Sequence, residues 1–234
     1  MNGDVVTRLE IDVLQANELL EASELALKYN LPALVVHPTL MSDALVIKGG
    51  FKGRYRLITA VDWPRGETFG MAKMHGLSID ALEADGYEIV LTPGKQISDT
   101  RNEVRALTEF VKSRLAEISE VRFVFNSNGK DVAQIAAMAE GLMENRTPAY
   151  VRNDISVKTQ MTHTSINQFK LFTDTVHSKI KVPIKLSGNI NGIGQAINIH
   201  WANRYGVNVN QARTIIRQFS QQPVASEIIG DTST

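Results

Sequence analysis

The amino-acid sequence predicts an α/β protein built as a closed (β/α)8 TIM barrel. Three observations carry that expectation. Short apolar runs rich in β-branched residues alternate with helical patterns along the chain. Eight such runs fit within 234 residues, a length suited to one barrel. Several runs stop at Pro or Gly followed by polar residues, as loops at a functional rim should. A flavodoxin-like open sheet is the structural rival, but it would use only about five or six strands.

The first strand is placed at Val5–Val13 and the first helix at Asn17–Tyr29, where Leu19, Leu20, Ala22, Leu25 and Ala26 recur at helical spacing behind Asn17 as a cap. Ala33–His37 is a short strand ended by Pro38, and Tyr55–Asp62 is the third, closed by Trp63-Pro64-Arg65-Gly66. A helix over Glu67–Glu83 leads to the fourth strand, Glu88–Thr92, stopped by Pro93-Gly94. Ser98 is expected to cap an amphipathic helix reaching Glu117, with Val104, Leu107, Val111 and Leu115 on one face. The remaining strands are read as Val121–Asn126, Ala149–Arg152, Val182–Ser187 and Ile199–Val207, with helices at Asp131–Glu144, Ser165–Ser178 and Gln211–Gln218. Only Asn191–Ile197 is left for a helix between the last two strands, so that crossover should be shortened. One barrel domain over 1–220 and a polar tail over 221–234 are expected.

Composition removes several functions. Lys plus Arg and Asp plus Glu number 25 each, so no global field recruits nucleic acid or an anionic membrane. Aromatic residues at 6% give no stacking platform for single strands. With no cysteine, a disulfide framework, a thiolate zinc site and a cysteine nucleophile are excluded. No 18-residue apolar run and no signal-like segment over Met1–Leu14 is found, so a cytoplasmic protein is expected. The histidines at 37, 75, 163, 177 and 200 lack metal-ligand spacing, and neither a phosphate-loop nor a nucleophile-elbow motif occurs. Neither a metal nor a cofactor is expected.

Chemistry in a barrel collects at the C-terminal ends of strands. That selects His37, Asp62, Thr92, Asn126, Arg152, Asp154, Lys185 and Ser187. Arg122 and Lys185 interrupt apolar strands, so each needs a polar interior; the plain reading is a structural ion pair, for example with Asp62. Lys185 is the candidate nucleophile, because an amine among apolar groups and other cations loses its proton more readily. Arg152 stays protonated and can only bind an anion. The segments Ser187-Gly188-Asn189 and Arg204-Tyr205-Gly206-Val207-Asn208 follow the last two strands, where such barrels hold phosphate.

These strand ends resemble those of the deoxyribose-phosphate aldolases, class I aldolases that work through a lysine imine. Ile11-Asp12-Val13-Leu14, Leu34-Val35-Val36-His37-Pro38, Ala60–Gly66, Glu88–Pro93, Val182–Gly188 and Arg204-Tyr205-Gly206 follow the family's strands in order. The resemblance implies a class I aldolase-like barrel. It also implies an imine lysine in a Phe-Ile-Lys-Thr-Ser segment on strand six, matched here by Arg152, and a strand-four aspartate, matched by Ile89. Glu88 is expected on the opposite face of that strand. The family's second lysine, on strand seven, matches Lys185. On this alignment the nucleophile is replaced. The leading expectation is therefore a lapsed barrel that acts by binding, as a regulatory or minor structural protein: a phosphorylated small molecule through Arg152, Ser187, Gly188, Asn189, Arg204 and Gly206, or a protein partner through its outer surface. A resemblance to tailed-phage accessory proteins, including prohead protease inhibitors, implies the host cytoplasm or the virion as its location. The alternative is an aldolase with its imine moved to Lys185 and Asp62 or Asp154 as proton-transfer partner.

Overall fold

The computed structural model describes residues 6–61, 84–91, 96–114, 120–126, 152–158, 184–187 and 202–220, with isolated positions between 133 and 141 and between 174 and 178. Eight strands pair in sequence order, and the last returns to the first: β1 (Leu9–Val13), β2 (Ala33–Val36), β3 (Arg56–Val61), β4 (Gly86–Val90), β5 (Glu120–Asn126), β6 (Arg152–Lys158), β7 (Ile184–Ser187) and β8 (Ala202–Val207). Every pairing is parallel, and the barrel closes where Leu9, Glu10 and Ile11 of β1 meet Tyr205, Gly206 and Val207 of β8. The barrel expected from the sequence is the one observed. Crossover 191–197 and tail 221–234 lie outside the described residues.

Period-two alternation divides the strands between two environments. Leu9, Ile11, Val13, Leu34, Val36, Leu57, Tyr87, Ile89, Val121, Phe123, Tyr205 and Val207 join one buried cluster with residues of the surrounding helices. Ala33, Val35, Ile58 and Ala60 form a separate small cluster on the lumen side. The helices show why the outer layer is apolar. In α1 (Ala16–Tyr29) the buried residues Leu19, Ala22, Ser23 and Ala26 fall at helical spacing, and Ser23 Oγ satisfies itself on the Leu19 carbonyl at 2.8 Å. The helix ends on Asn30 in the left-handed region at φ 51°. In α4 (Val209–Ser220), Val209, Ala212, Ile215 and Ile216 are buried.

Three local readings change. Pro38–Leu40 forms a 3-10 turn leading into α2 (Met41–Phe51), a helix absent from the sequence reading. Asn17 and Ser98 lie inside their helices rather than capping them: α1 is preceded by Gln15, and α3 (Ile97–Arg114) starts with Thr100 N donating to the Gln96 carbonyl at 3.0 Å. The cap of α4 is Asn208, whose Oδ1 accepts from Gln211 N at 2.9 Å.

The N-terminal side of the barrel carries a clamp built on Asp85. Its Oδ2 accepts from Lys48 Nζ of α2 and from Leu57 N of β3, both at 2.8 Å, while its own N–H donates to the Leu57 carbonyl at 2.9 Å. One carboxylate thus ties a helix and two strand starts together. Asp85→Ala should lower stability by about 1–2 kcal/mol, since a charge-assisted bond and a backbone acceptor are lost. Urea unfolding of the variant checks this, and Asp85→Asn should retain more than half of the difference.

Candidate functional site

The lumen of this barrel is ionic. Glu10 and Asp12 of β1, Glu88 of β4 and Glu120 of β5 face Arg56 of β3, Arg122 of β5, Lys185 of β7 and Arg204 of β8. Four carboxylates thus meet four cations among the described residues. Arg122 is the hub and is fully buried. Its guanidinium donates to both oxygens of Glu10, at 2.5 and 2.8 Å, and its Nε donates to Glu120 Oε1 at 2.8 Å. Glu120 also accepts from Arg56 and Arg204 near the N-terminal end. Toward the other end, Lys185 Nζ donates to Glu88 Oε2 at 2.8 Å and Asp12 Oδ1 at 3.2 Å, and lies 3.2 Å from Glu10 Oε2.

The sequence puts these groups inside because β1, β4, β5 and β8 alternate: apolar residues at one parity meet the helices and charged ones at the other meet each other, while β2 and β3 add the apolar Ala33, Val35, Ile58 and Ala60 to the lumen. Burial alone would favour the neutral forms, yet the surrounding opposite charges outweigh it. Burial raises the Glu10 carboxyl, but Arg122, Lys185 and Arg204 bring it below the usual carboxylate value. Burial also opposes ionisation of Glu120, and Arg122, Arg204 and Arg56 overcome it, leaving its pKa at about 2. Burial should strip Lys185 of its proton, yet Asp12, Glu88 and Glu10 raise its pKa well above that of an ordinary lysine. Arg122 is raised likewise against its own burial by Glu10, Glu120 and Glu88.

Several expected site residues fall elsewhere. Strand six is not Ala149–Arg152 but Arg152–Lys158, so Arg152 stands at its first ladder position, beside Glu120 at the N-terminal end. It therefore sits on the end of the barrel away from the rim where anion binding was expected. Lys185 is in the lumen but is held as an ammonium, the opposite of an activated amine. Arg204 and Gly206 lie within β8 rather than in a loop, and the Arg204 guanidinium is occupied by Glu120 and Glu10. Asn208 is committed to its helix cap. His37 Nδ1 accepts from Thr39 N at 3.3 Å and contacts Thr39 Oγ1 at 2.8 Å, which makes it a turn residue. The roles assigned to Asp62, Thr92, Gly188 and Asn189 lie outside the described residues.

Strand four is reversed relative to the alignment. Ile89 belongs to the outer apolar cluster, and Glu88 is the residue on the lumen side, in contact with Lys185. At the C-terminal end, Lys158 is the last ladder position of β6. It stands between Asn126 of β5 and Ser187 of β7, two residues beyond Ser156, which pairs with Lys185. Ser187 is fully buried, and its hydroxyl has no hydrogen-bond partner among the described residues. Sequence reasoning did not name Lys158, and it set Glu88 on the opposite face of its strand from the position aligned with the family's acid. Two signals pointed to them: the Ile155-Ser156-Val157-Lys158-Thr159 segment resembles the family's Phe-Ile-Lys-Thr-Ser more closely than Tyr150-Val151-Arg152-Asn153 does, and Glu88 is an acid between apolar neighbours. Among the described residues no group of three or more His, Asp or Glu is placed to hold a metal, and no helix is long and apolar enough to cross a membrane.

No family model and no curated protein matches the chain. Solved structures do. Deoxyribose phosphate aldolase from Aeropyrum pernix superposes with a TM-score of 0.71 over 94% of this chain and 93% of that one, at 14% identity. A second aldolase gives 0.66 over 94% and 99%, at 17% identity. Triosephosphate isomerase from Bartonella henselae gives 0.57 over 93% and 100%, at 11% identity. At such identities the likeness is one of architecture: the chain has the fold of an aldolase-type TIM barrel and a distant resemblance to the deoxyribose-phosphate aldolases.

Proposed function

We propose that this chain is a lyase of the class I aldolase type, forming an imine between Lys158 and the carbonyl carbon of a small aldehyde or phosphorylated sugar. The observation that carries the reading is the course of β6, which ends on Lys158 at the C-terminal face, beside Ser187 and two residues beyond the level of Lys185. The expectation of a lapsed site rested on Arg152 in the nucleophile position, and Arg152 begins the strand instead.

Lys185 then acts as a fixed cation rather than as the nucleophile. Three carboxylates hold its proton, and its buried charge makes protonation of a nearby amine less favourable. Glu88, within 2.8 Å of Lys185, is the carboxylate suited to shuttle a proton at the substrate, in place of Asp62.

Borohydride reduction in the presence of acetaldehyde, read by intact mass and peptide mapping, tests the proposal. An ethyl adduct on Lys158 is expected, lost in Lys158→Ala and kept in Arg152→Ala. An adduct on Lys185, or none, rejects it. The second reading is a barrel that has lost its chemistry and binds a protein, with a phage prohead protease among the partners to try. It draws on Ile89, which lies in the apolar layer where the alignment calls for an acid. Absence of any adduct together with tight binding to one purified partner would favour it.

A further inference from the structure

Among the described residues, the lumen hydroxyl of Ser187 is a buried group at the C-terminal end of β7 that the ion pairs do not use. Its residue is 0% exposed and its Oγ has no partner. A buried hydroxyl without a partner is destabilising, and native interiors rarely keep one without a use. The neighbouring backbone explains why the protein supplies none. Across the ladder stands Gly206, where a Cβ would lie 2.6 Å from Lys185 Cε, 2.8 Å from Ser187 Cβ and 3.0 Å from Asp12 Oδ1. The glycine makes room for the Lys185 stem, which leads its ammonium to Glu88 and Asp12. Ser187 is left beyond that stem, at the last position of β7 and level with Lys158.

We infer that Ser187 is a substrate-contacting residue whose hydroxyl hydrogen-bonds the carbonyl oxygen of the aldehyde presented to Lys158. This rests on the imine reading above. It adds a role the alignment does not give, since Ser187 entered only as a candidate anion ligand. The hydrogen bond polarises the carbonyl and holds its oxygen as the carbon–nitrogen bond forms. The Lys158 amine adds to the carbonyl carbon, and the carbonyl oxygen then leaves as water with the two protons the amine gives up; Ser187 itself transfers none.

The test compares the borohydride trapping rate of the wild type, Ser187→Ala and Ser187→Cys across acetaldehyde concentrations, beside urea unfolding of each. Cysteine keeps nearly the shape of serine but is a weak donor, which separates loss of the hydrogen bond from loss of packing. The expected result is trapping slowed about tenfold or more in both variants. The urea midpoint of Ser187→Ala should be unchanged or higher, because an unused buried hydroxyl has been removed. Trapping at the wild-type rate in Ser187→Ala would overturn the inference while leaving Lys158 intact. A clear fall in the Ser187→Ala midpoint would also overturn it, by showing that the hydroxyl has a structural partner. If the wild type itself forms no adduct, the imine reading fails and this inference falls with it.

Discussion

Arg122→Ala should destabilise the protein by about 3–5 kcal/mol, a large part of the roughly 5–15 kcal/mol that keeps a typical domain folded. The guanidinium touches Glu10, Glu88 and Glu120, all fully buried. Removing it leaves Glu10 without its bidentate partner and Glu120 dependent on Arg56 and Arg204. Most of the loss comes from stranding charges that water cannot reach. The exchange that takes both partners away should therefore be far milder. Arg122→Met combined with Glu10→Leu replaces an ion pair by hydrocarbon and should recover more than half of the loss. Urea unfolding of the single and double variants decides the matter. A single variant within about 1 kcal/mol of wild type would mean the lattice contributes little.

Acid should unfold the protein through the same groups. Glu120 has its pKa lowered from 4.5 to about 2, and Glu10 is lowered too. For a carboxyl lowered on folding, the stabilising contribution is complete above the unfolded pKa and is lost as pH falls through the folded one. For Glu120 the shift corresponds to about 3 kcal/mol, absent near pH 2 and fully present above about pH 5. Lys185 works in the opposite sense: raised on folding, its contribution holds below the ordinary lysine value and disappears at strongly alkaline pH. A broad plateau of stability between about pH 5 and 10 is the expected profile, with its steepest fall on the acid side. Urea midpoints from pH 2 to 8 measure it. Glu120→Gln should flatten the acid limb, and an unchanged limb in that variant would show that the Glu120 shift is not what drives acid unfolding.

The outer half of the fold was legible because it follows the common pattern: Leu34, Val36, Val121 and Phe123 are apolar on the side that meets the helices. The inner half was not, because its charged lumen breaks the rule that strands of a parallel barrel read as continuous apolar runs. Strand six shows the consequence. Arg152-Asn153-Asp154-Ile155-Ser156-Val157-Lys158 alternates polar and apolar residues and reads as a loop, while the preceding Ala149-Tyr150-Val151 reads as a strand. Six residues separate Arg152, where the sequence reading ended the strand, from Lys158, where it ends. The same cause misplaced strand four: the alignment put Ile89 at the acid position, although an acid on a buried strand belongs with the cations, as Glu88 does. Helix α2 escaped notice because Val46, Ile47, Gly49 and Gly50 carry weak helical propensity, so tertiary packing rather than local preference holds it.

The matched charges of the lumen also constrain how this chain can diverge. A side chain there cannot drift alone, because each exchange that discards an ion orphans another across the barrel. Related sequences should gain or shed Glu10 and Arg122 as a couple, and Glu88 and Lys185 likewise. Helix surfaces outside are free to vary one position at a time. An interior of this kind preserves its own history, since every path toward a hydrocarbon filling passes through an unbalanced intermediate.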